Sequence, residues 1–189
     1  MSVFPPKTIT LRDGATVHLR SPEVSDAAGM LEYIDEVRRD CDGIMLSPED
    51  ELPTLEWERD WVRRRREGDG VQIFAEDEAG RQIALCGIEP GKMARLRHAG
   101  SVGISIRKPW RGRGLGTALM QELIAWAEAN ERLAVLSLGV FEDNPRARHV
   151  YERCGFEANG RSRWHAFREG RYVDEIIMTR WVGTGAPPV

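Results

Sequence analysis

The chain has 189 residues, 41% apolar and 30% charged, with 27 Lys plus Arg against 30 Asp plus Glu for a formal charge of −3. That balance, with a mean hydropathy of −0.43, excludes a fibrous or disordered chain and argues against a protein that binds nucleic acid through its overall field. No apolar run approaches the roughly 20 residues needed to cross a bilayer, and the opening MSVFPPKTIT lacks the layout of a secretory signal, so a cytoplasmic location is expected. The length supports one sizeable core, hence a single domain over residues 1–182 with a disordered tail over 183–189. Cys41, Cys86 and Cys154 form no CxxC pair and read as reduced, buried thiols.

Thr8–Arg20 alternates about Asp13-Gly14 and predicts a hairpin. Ser21-Pro22-Glu23 opens a helix with the stripe Ala27, Met30, Leu31 and Ile34. Asp40–Glu51 is a polar loop, and a second helix begins at Thr54 and ends in Arg63-Arg64-Arg65-Arg66 before Gly68 and Gly70. Acidic neighbours surround those arginines, and cations suit a helix C-terminus, so a solvated helix end explains the run better than a nucleic-acid patch. Val71–Ala75 and Gln82–Ile88 are strands joined by the turn Asp77–Gly80, and His98–Ile106 is a third, stopped by Pro109. Gly114–Ala129 is an amphipathic helix, Leu133–Val140 a buried strand, and Asn144–Cys154 a helix ended by Gly155. Runs around Ser162–Phe167 and Tyr172–Trp181 complete an α/β (α+β mixed) chain: a central mixed, mostly antiparallel sheet with helices on both faces.

The sharpest feature is Arg111-Gly112-Arg113-Gly114-Leu115-Gly116-Thr117, between a strand and a helix. Three glycines in five positions allow a tight turn and close backbone approach, and the free amides of a helix N-terminus suit a pyrophosphate. Arg111 and Arg113 are expected to add charge. The plain alternative is a tight strand-to-helix connection. No lysine follows the glycines as an ATP loop requires, and Thr117 breaks the GxGxxG dinucleotide pattern.

Arg111-Gly112-Arg113-Gly114-Leu115-Gly116 resembles the Arg/Gln-x-x-Gly-x-Gly/Ala signature of the GNAT superfamily of acyl-CoA-dependent N-acyltransferases. Asn144-Pro145-Arg146-Ala147-Arg148-His149-Val150-Tyr151, followed by Gly155-Phe156, is similar to that family's second motif. The resemblance implies a GNAT-like fold and acetyl-CoA as the acetyl donor, with its pyrophosphate on Gly112–Thr117. It further implies that the strand before the loop is bulged and splays from its neighbour, so that backbone at Ile104, Ser105 and Ile106 meets the pantetheine arm. Asn144 and Ala147 would complete that contact, and Tyr151 would give a proton to the departing thiolate.

The base is less defined, because His98–Lys108 contains no carboxylate. Glu89 is the leading candidate, with Asp174, Glu175, or His98 acting through water as alternatives; each is also an ordinary solvated or salt-bridged group. His18, His149 and His165 are isolated, so no metal is expected. Trp57 and Trp61 share one helical face, which reads as core packing or, by resemblance, as an aromatic wall near the acceptor. The expected activity is transfer of an acetyl group from acetyl-CoA to a primary amine of a small molecule or protein by direct attack. The competing reading is a non-catalytic acyl-CoA-binding sensor or scaffold. The apolar run Tyr172–Trp181, a liability if bare at a sheet edge, together with Trp164 predicts a homodimer.

Overall fold

Asp13-Gly14 closes the first hairpin: Leu11 N donates to Ala15 O at 2.8 Å, Gly14 N to Leu11 O at 3.0 Å, and Asp13 Oδ1 accepts from Ala15 N. These bonds join β1 (Lys7–Thr10) to β2 (Thr16–Arg20) in antiparallel register. A computed structural model describes residues 3–40 and 43–185, so Cys41 and the last four residues of the predicted tail, 186–189, lie outside the described residues. The described chain forms two compact units, one from the chain up to Glu89 with Gly103–Leu119, the other from Pro90–Val102 with Met120 onward. No helix of the described residues is long and apolar enough to cross a membrane.

In the first unit β2 pairs with β3 (Val71–Glu76), and β3 with β4 (Gln82–Pro90), all antiparallel. Next to β4 comes β5 (Ala99–Ile106), whose Gly103–Ile106 belongs to this unit. Helices α1 (Ala27–Arg39) and α2 (Leu55–Glu67) cover these strands. The α1 stripe Ala27, Met30, Tyr33 and Val37 is buried, and Met30 meets Val62 of α2 and Phe74 of β3, with Val24, Trp61 and Leu85 packed around them. Trp61 is therefore partly buried against the core, whereas Trp57 is 48% exposed. Thr54 caps α2 by accepting from Trp57 N at 3.1 Å, and Arg64, Arg65 and Arg66 occupy its last turn. The arginine run is consumed locally: Arg63 pairs with Asp60, Arg65 with Glu89, and Arg66 donates to Pro22 O. Helix α1 does not open at Ser21, and Ser21 does not cap it. A 3-10 turn at Val24–Asp26 intervenes, and the Ser21 hydroxyl instead accepts from Phe4 N and donates to Gln72 O.

In the second unit Ala99–Ser101 of β5 pairs in parallel with Val135–Ser137 of β6 (Val135–Phe141). β6 then pairs antiparallel with β8 (Arg171–Trp181), and β8 with β7 (Glu157–Arg168). Helix α3 (Leu115–Glu128) starts in the first unit with buried Leu115 and Leu119 and continues in the second with Met120, Leu123 and Ala127. Helix α4 spans Pro145–Arg153. The expectation that Tyr172–Trp181 lies bare at an edge needs correction. β8 is bonded on both sides, because the twelve-residue β7 lies outside it and takes the end position. Beyond β8, Gly183 N donates to Ala134 O and Trp181 Nε1 to Gly185 O.

Candidate active site

β5 hands over to α3 through a short, sharply turned segment. Arg107 N closes the last rung to Ile83 O at 2.9 Å, and Pro109 then enters a 3-10 turn, Lys108–Trp110. Gly112 (φ +78°) and Gly114 (φ +93°) both occupy the left-handed region that a side chain disfavours. The first α3 amide bonded into the turn is Ala118, to Gly114 O at 3.1 Å. The amides of Leu115, Gly116 and Thr117 precede it and have no carbonyl within the helix to meet. A Cβ at Gly116 would lie 3.4 Å from Ile106 Cδ1, so the end of the Ile106 side chain reaches the helix start. The arrangement offers clustered donors and the positive end of a helix dipole to an anion.

The two arginines of the motif do different work. Arg111 is mostly buried; its Nε donates to Ile106 O at 2.7 Å and its Nη2 meets Asp40 at 3.1 Å. It therefore clamps the turn to β5 and to the residue following α1. Arg113 lies over the Trp110 ring, 4.3 Å from its centroid, and its Nε pairs with Asp13 in the first hairpin turn. That hydrogen bond holds the Asp13 carboxyl below its ordinary range. Beside the turn, a cleft of about 440 Å³ is lined by Glu36, Val37, Asp40, Arg107 and Lys108.

Ile104, Ser105 and Ile106 are half-buried on β5. The Ser105 hydroxyl bonds Tyr33 Oη at 2.8 Å, and burial pushes the Tyr33 phenol far up. The Ile106 carbonyl already serves Arg111, leaving one lone pair for another donor. Arg107, absent from the sequence-based candidates, is 5% exposed, donates to Gln82 O at 2.6 Å, pairs with Glu36 and lies over the Tyr33 ring.

In the second unit Asn144 caps α4, its Oδ1 accepting from Ala147 N at 3.1 Å. The Ala147 amide is thereby used, and the Asn144 Nδ2 remains a donor. Tyr151, two turns into α4, is 8% exposed and packs its ring 6.3 Å from Phe156. Burial pushes its phenol up to about 12, so the hydroxyl keeps its proton throughout the physiological range.

The base candidates differ in what holds them. Glu89, at the end of β4, pairs with Arg65 at 2.8 Å. Asp174 accepts from Trp164 N at 2.8 Å and from Arg161 Nε, and both bonds lower its carboxyl pKa and so its basicity. Glu175 lies 3.5 Å from His165, and the His98 side chain is exposed. Glu58, which the sequence pattern hid among the acids of α2, is 2% exposed with Oε2 lacking any hydrogen-bond partner, and burial raises its pKa.

Comparison with known proteins adds to this geometry. The model of the acetyltransferase (GNAT) family matches residues 31–156. An L-amino acid N-acetyltransferase of Escherichia coli (strain K12) is 32% identical over 120 residues, covering 64% of this chain and 74% of that protein. An acetyltransferase of the GNAT family from Streptococcus pneumoniae superposes with a TM-score of 0.83 at 27% identity, over 88% of this chain and 99% of that one. A phosphinothricin acetyltransferase from Sinorhizobium meliloti, solved in complex with acetyl-CoA, shares the fold with a TM-score of 0.74 at 21% identity, over 96% and 94% of the two chains.

Proposed function

The chain belongs to the acetyltransferase (GNAT) family and is an acetyl-CoA-dependent N-acetyltransferase, and from that premise we propose that it acetylates the primary amine of a small molecule by direct attack. The observation that carries this reading is the turn at Gly112 and Gly114, with the unbonded amides of Leu115, Gly116 and Thr117 behind it. The pyrophosphate of acetyl-CoA binds those amides, with Arg113 alongside. Backbone groups of Ile104, Ser105 and Ile106 hold the pantetheine arm; the three-residue length of the parallel β5–β6 ladder supports a strand free to do so. Asn144, at the start of α4 ahead of Ala147, contributes its Nδ2.

The neutral amine attacks the thioester carbonyl carbon, a C–N bond forms and the C–S bond breaks. Tyr151 gives its proton to the departing thiolate and recovers one from the nitrogen of the new amide. Glu89, through water, accepts the proton that the incoming ammonium must lose first. A small-molecule acceptor is favoured because the Escherichia coli relative is named for L-amino acids. The enzyme works in the cytoplasm, which the buried free thiols Cys86 and Cys154 favour. It works as a homodimer, which the exposed aromatic surface of the β7–β8 hairpin favours.

Thiol release from acetyl-CoA, measured across L-amino acids, polyamines and peptides with free N-termini, tests the reading. Turnover with amino acids above the peptide background is the expected result; thiol release with no amine in the panel would overturn it.

A further inference from the structure

The first hairpin turn carries a cation that the proposed site leaves unused. Arg12 precedes Asp13 in that turn, is exposed, and pairs with no acidic group among the described residues. Its side chain is nevertheless not spread into solvent. A Cβ built on Gly114 would lie 3.6 Å from Arg12 Cγ and 3.7 Å from Cδ and Nε, so the stem runs beside the glycine turn, within contact range of a side chain at Gly114. The turn itself is fixed. Leu11, Gly14 and Ala15 bond one another, and Asp13 is paired with Arg113, the residue between Gly112 and Gly114.

This arrangement suits a shared anion. Two guanidinium groups from distant parts of the chain flank one turn, and a lone carboxylate offsets their repulsion. Asp13 meets Arg113 through Nε, which leaves the terminal fork of Arg113 for a second acceptor. A Cβ at Gly114 would only touch the Arg12 stem at ordinary contact distance; what reserves the position for glycine is its φ of +93°. We propose that Arg12, held over Gly114 by the Asp13–Arg113 pair, binds a phosphate group of acetyl-CoA, making the N-terminal hairpin part of the donor site. Asp13 is a positioning residue in this scheme. The proposal rests on the reading that CoA occupies the glycine turn.

Calorimetric titration of the full chain with CoA, 3′-dephospho-CoA and 4′-phosphopantetheine tests it in wild type, Arg12→Ala, Arg12→Lys, Gly114→Val and Arg59→Ala. Arg59 lies on the exposed side of α2 and controls for the loss of one positive charge. Arg12→Ala is expected to weaken CoA about tenfold, as loss of a charged hydrogen bond should, with partial recovery in Arg12→Lys and little change in Arg59→Ala. A deficit that disappears with 3′-dephospho-CoA assigns Arg12 to the 3′-phosphate; one that persists assigns it to the phosphates next to pantetheine. CoA affinity lost in Gly114→Val but kept in Arg12→Ala would overturn the arginine assignment alone. Affinity kept in a folded Gly114→Val would overturn the turn as the CoA site, and this proposal with it. For Asp13, the readout is the KM for acetyl-CoA: Asp13→Ala should raise it and Asp13→Glu should restore it in part, a rescue that a purely structural loss would not give.

Discussion

Arg111 donates from Nε to the carbonyl of Ile106 at 2.7 Å, folding the glycine turn back onto the strand it leaves. The same guanidinium reaches Asp40, so one side chain fixes both the turn and the chain just beyond α1. The guanidinium of Arg111 is therefore engaged within the protein, by a carbonyl and a carboxylate.

That clamp predicts a specific substitution pattern. Arg111→Ala should weaken CoA binding by releasing the turn, and Arg111→Lys should fail to restore it, because one ammonium cannot reproduce the planar fork that meets both acceptors. CoA titration checks the pair; wild-type affinity in Arg111→Lys would mean that charge alone matters at this position.

Gly114 and Gly116 should respond differently to a side chain. At Gly114, φ of +93° strains any β-branched residue, and the Arg12 stem occupies the adjoining space, so Gly114→Val should abolish CoA binding in a folded protein. At Gly116 a Cβ meets only Ile106 Cδ1 at 3.4 Å, the movable end of a side chain. Gly116→Ala should therefore retain measurable binding, and the contrast between the two variants is read in one set of titrations.

Tyr151→Phe removes only the hydroxyl of a buried ring and should lower turnover by roughly 10²–10⁴-fold where chemistry limits the rate, with CoA affinity nearly kept. The pH profile offers a second check. With the phenol pushed up to about 12, its deprotonation cannot produce a fall in turnover near pH 10, where an ordinary tyrosine titrates. An alkaline limb centred near 10 that vanishes in Tyr151→Phe would contradict the burial-raised value.

Glu58 carries a stability prediction. Its folded-state pKa lies above the unfolded one, so the carboxyl's contribution is fully present below the ordinary carboxylate range and is lost as pH rises through the raised value. At neutral pH the buried, unpartnered Oε2 is a liability that a neutral amide lacks. Glu58→Gln should stabilise the fold by about 1 kcal/mol at pH 7–8, an advantage shrinking toward zero near pH 4. Urea unfolding at both pH values measures it; a destabilised Gln variant at pH 8 would show that the carboxylate has a native role.

The legible parts of this protein were those written in local pattern. The Asp13-Gly14 hairpin, the apolar stripe of α1, the Asn144 cap and the glycine turn each depend on residues a few positions apart. What the pattern concealed depends on distant partners. That Arg111 and Arg113 are also engaged by carboxylates could not be read from the motif, because Asp40 and Asp13 lie 71 and 100 residues away. Glu58 looked like one more surface acid because its burial follows from how α2 packs. Tyr172–Trp181 looked exposed because nothing in its own residues records that β7 folds back outside it.

That correction relocates the assembly prediction to β7. Two register breaks, between Ala158 and Gly160 and between Ser162 and Ala166, interrupt this end strand and blunt it against simple strand addition. In the second break Asp174, itself 8% exposed, takes the amide of Trp164, which stands at φ +53° with its ring 69% exposed. Phe167 and Tyr172, each 65% exposed, pack against each other 5.1 Å apart on neighbouring strands. Three such aromatics offer roughly 300–500 Å² of surface, short of the ~800 Å² that a stable partner buries, so a dimer built on them would require a larger contact around them. Sedimentation across the micromolar range should show wild type approaching twice the 21.4 kDa chain mass, with Trp164→Arg shifting the equilibrium to the monomer. A single 21.4 kDa species for wild type throughout that range would remove the dimer.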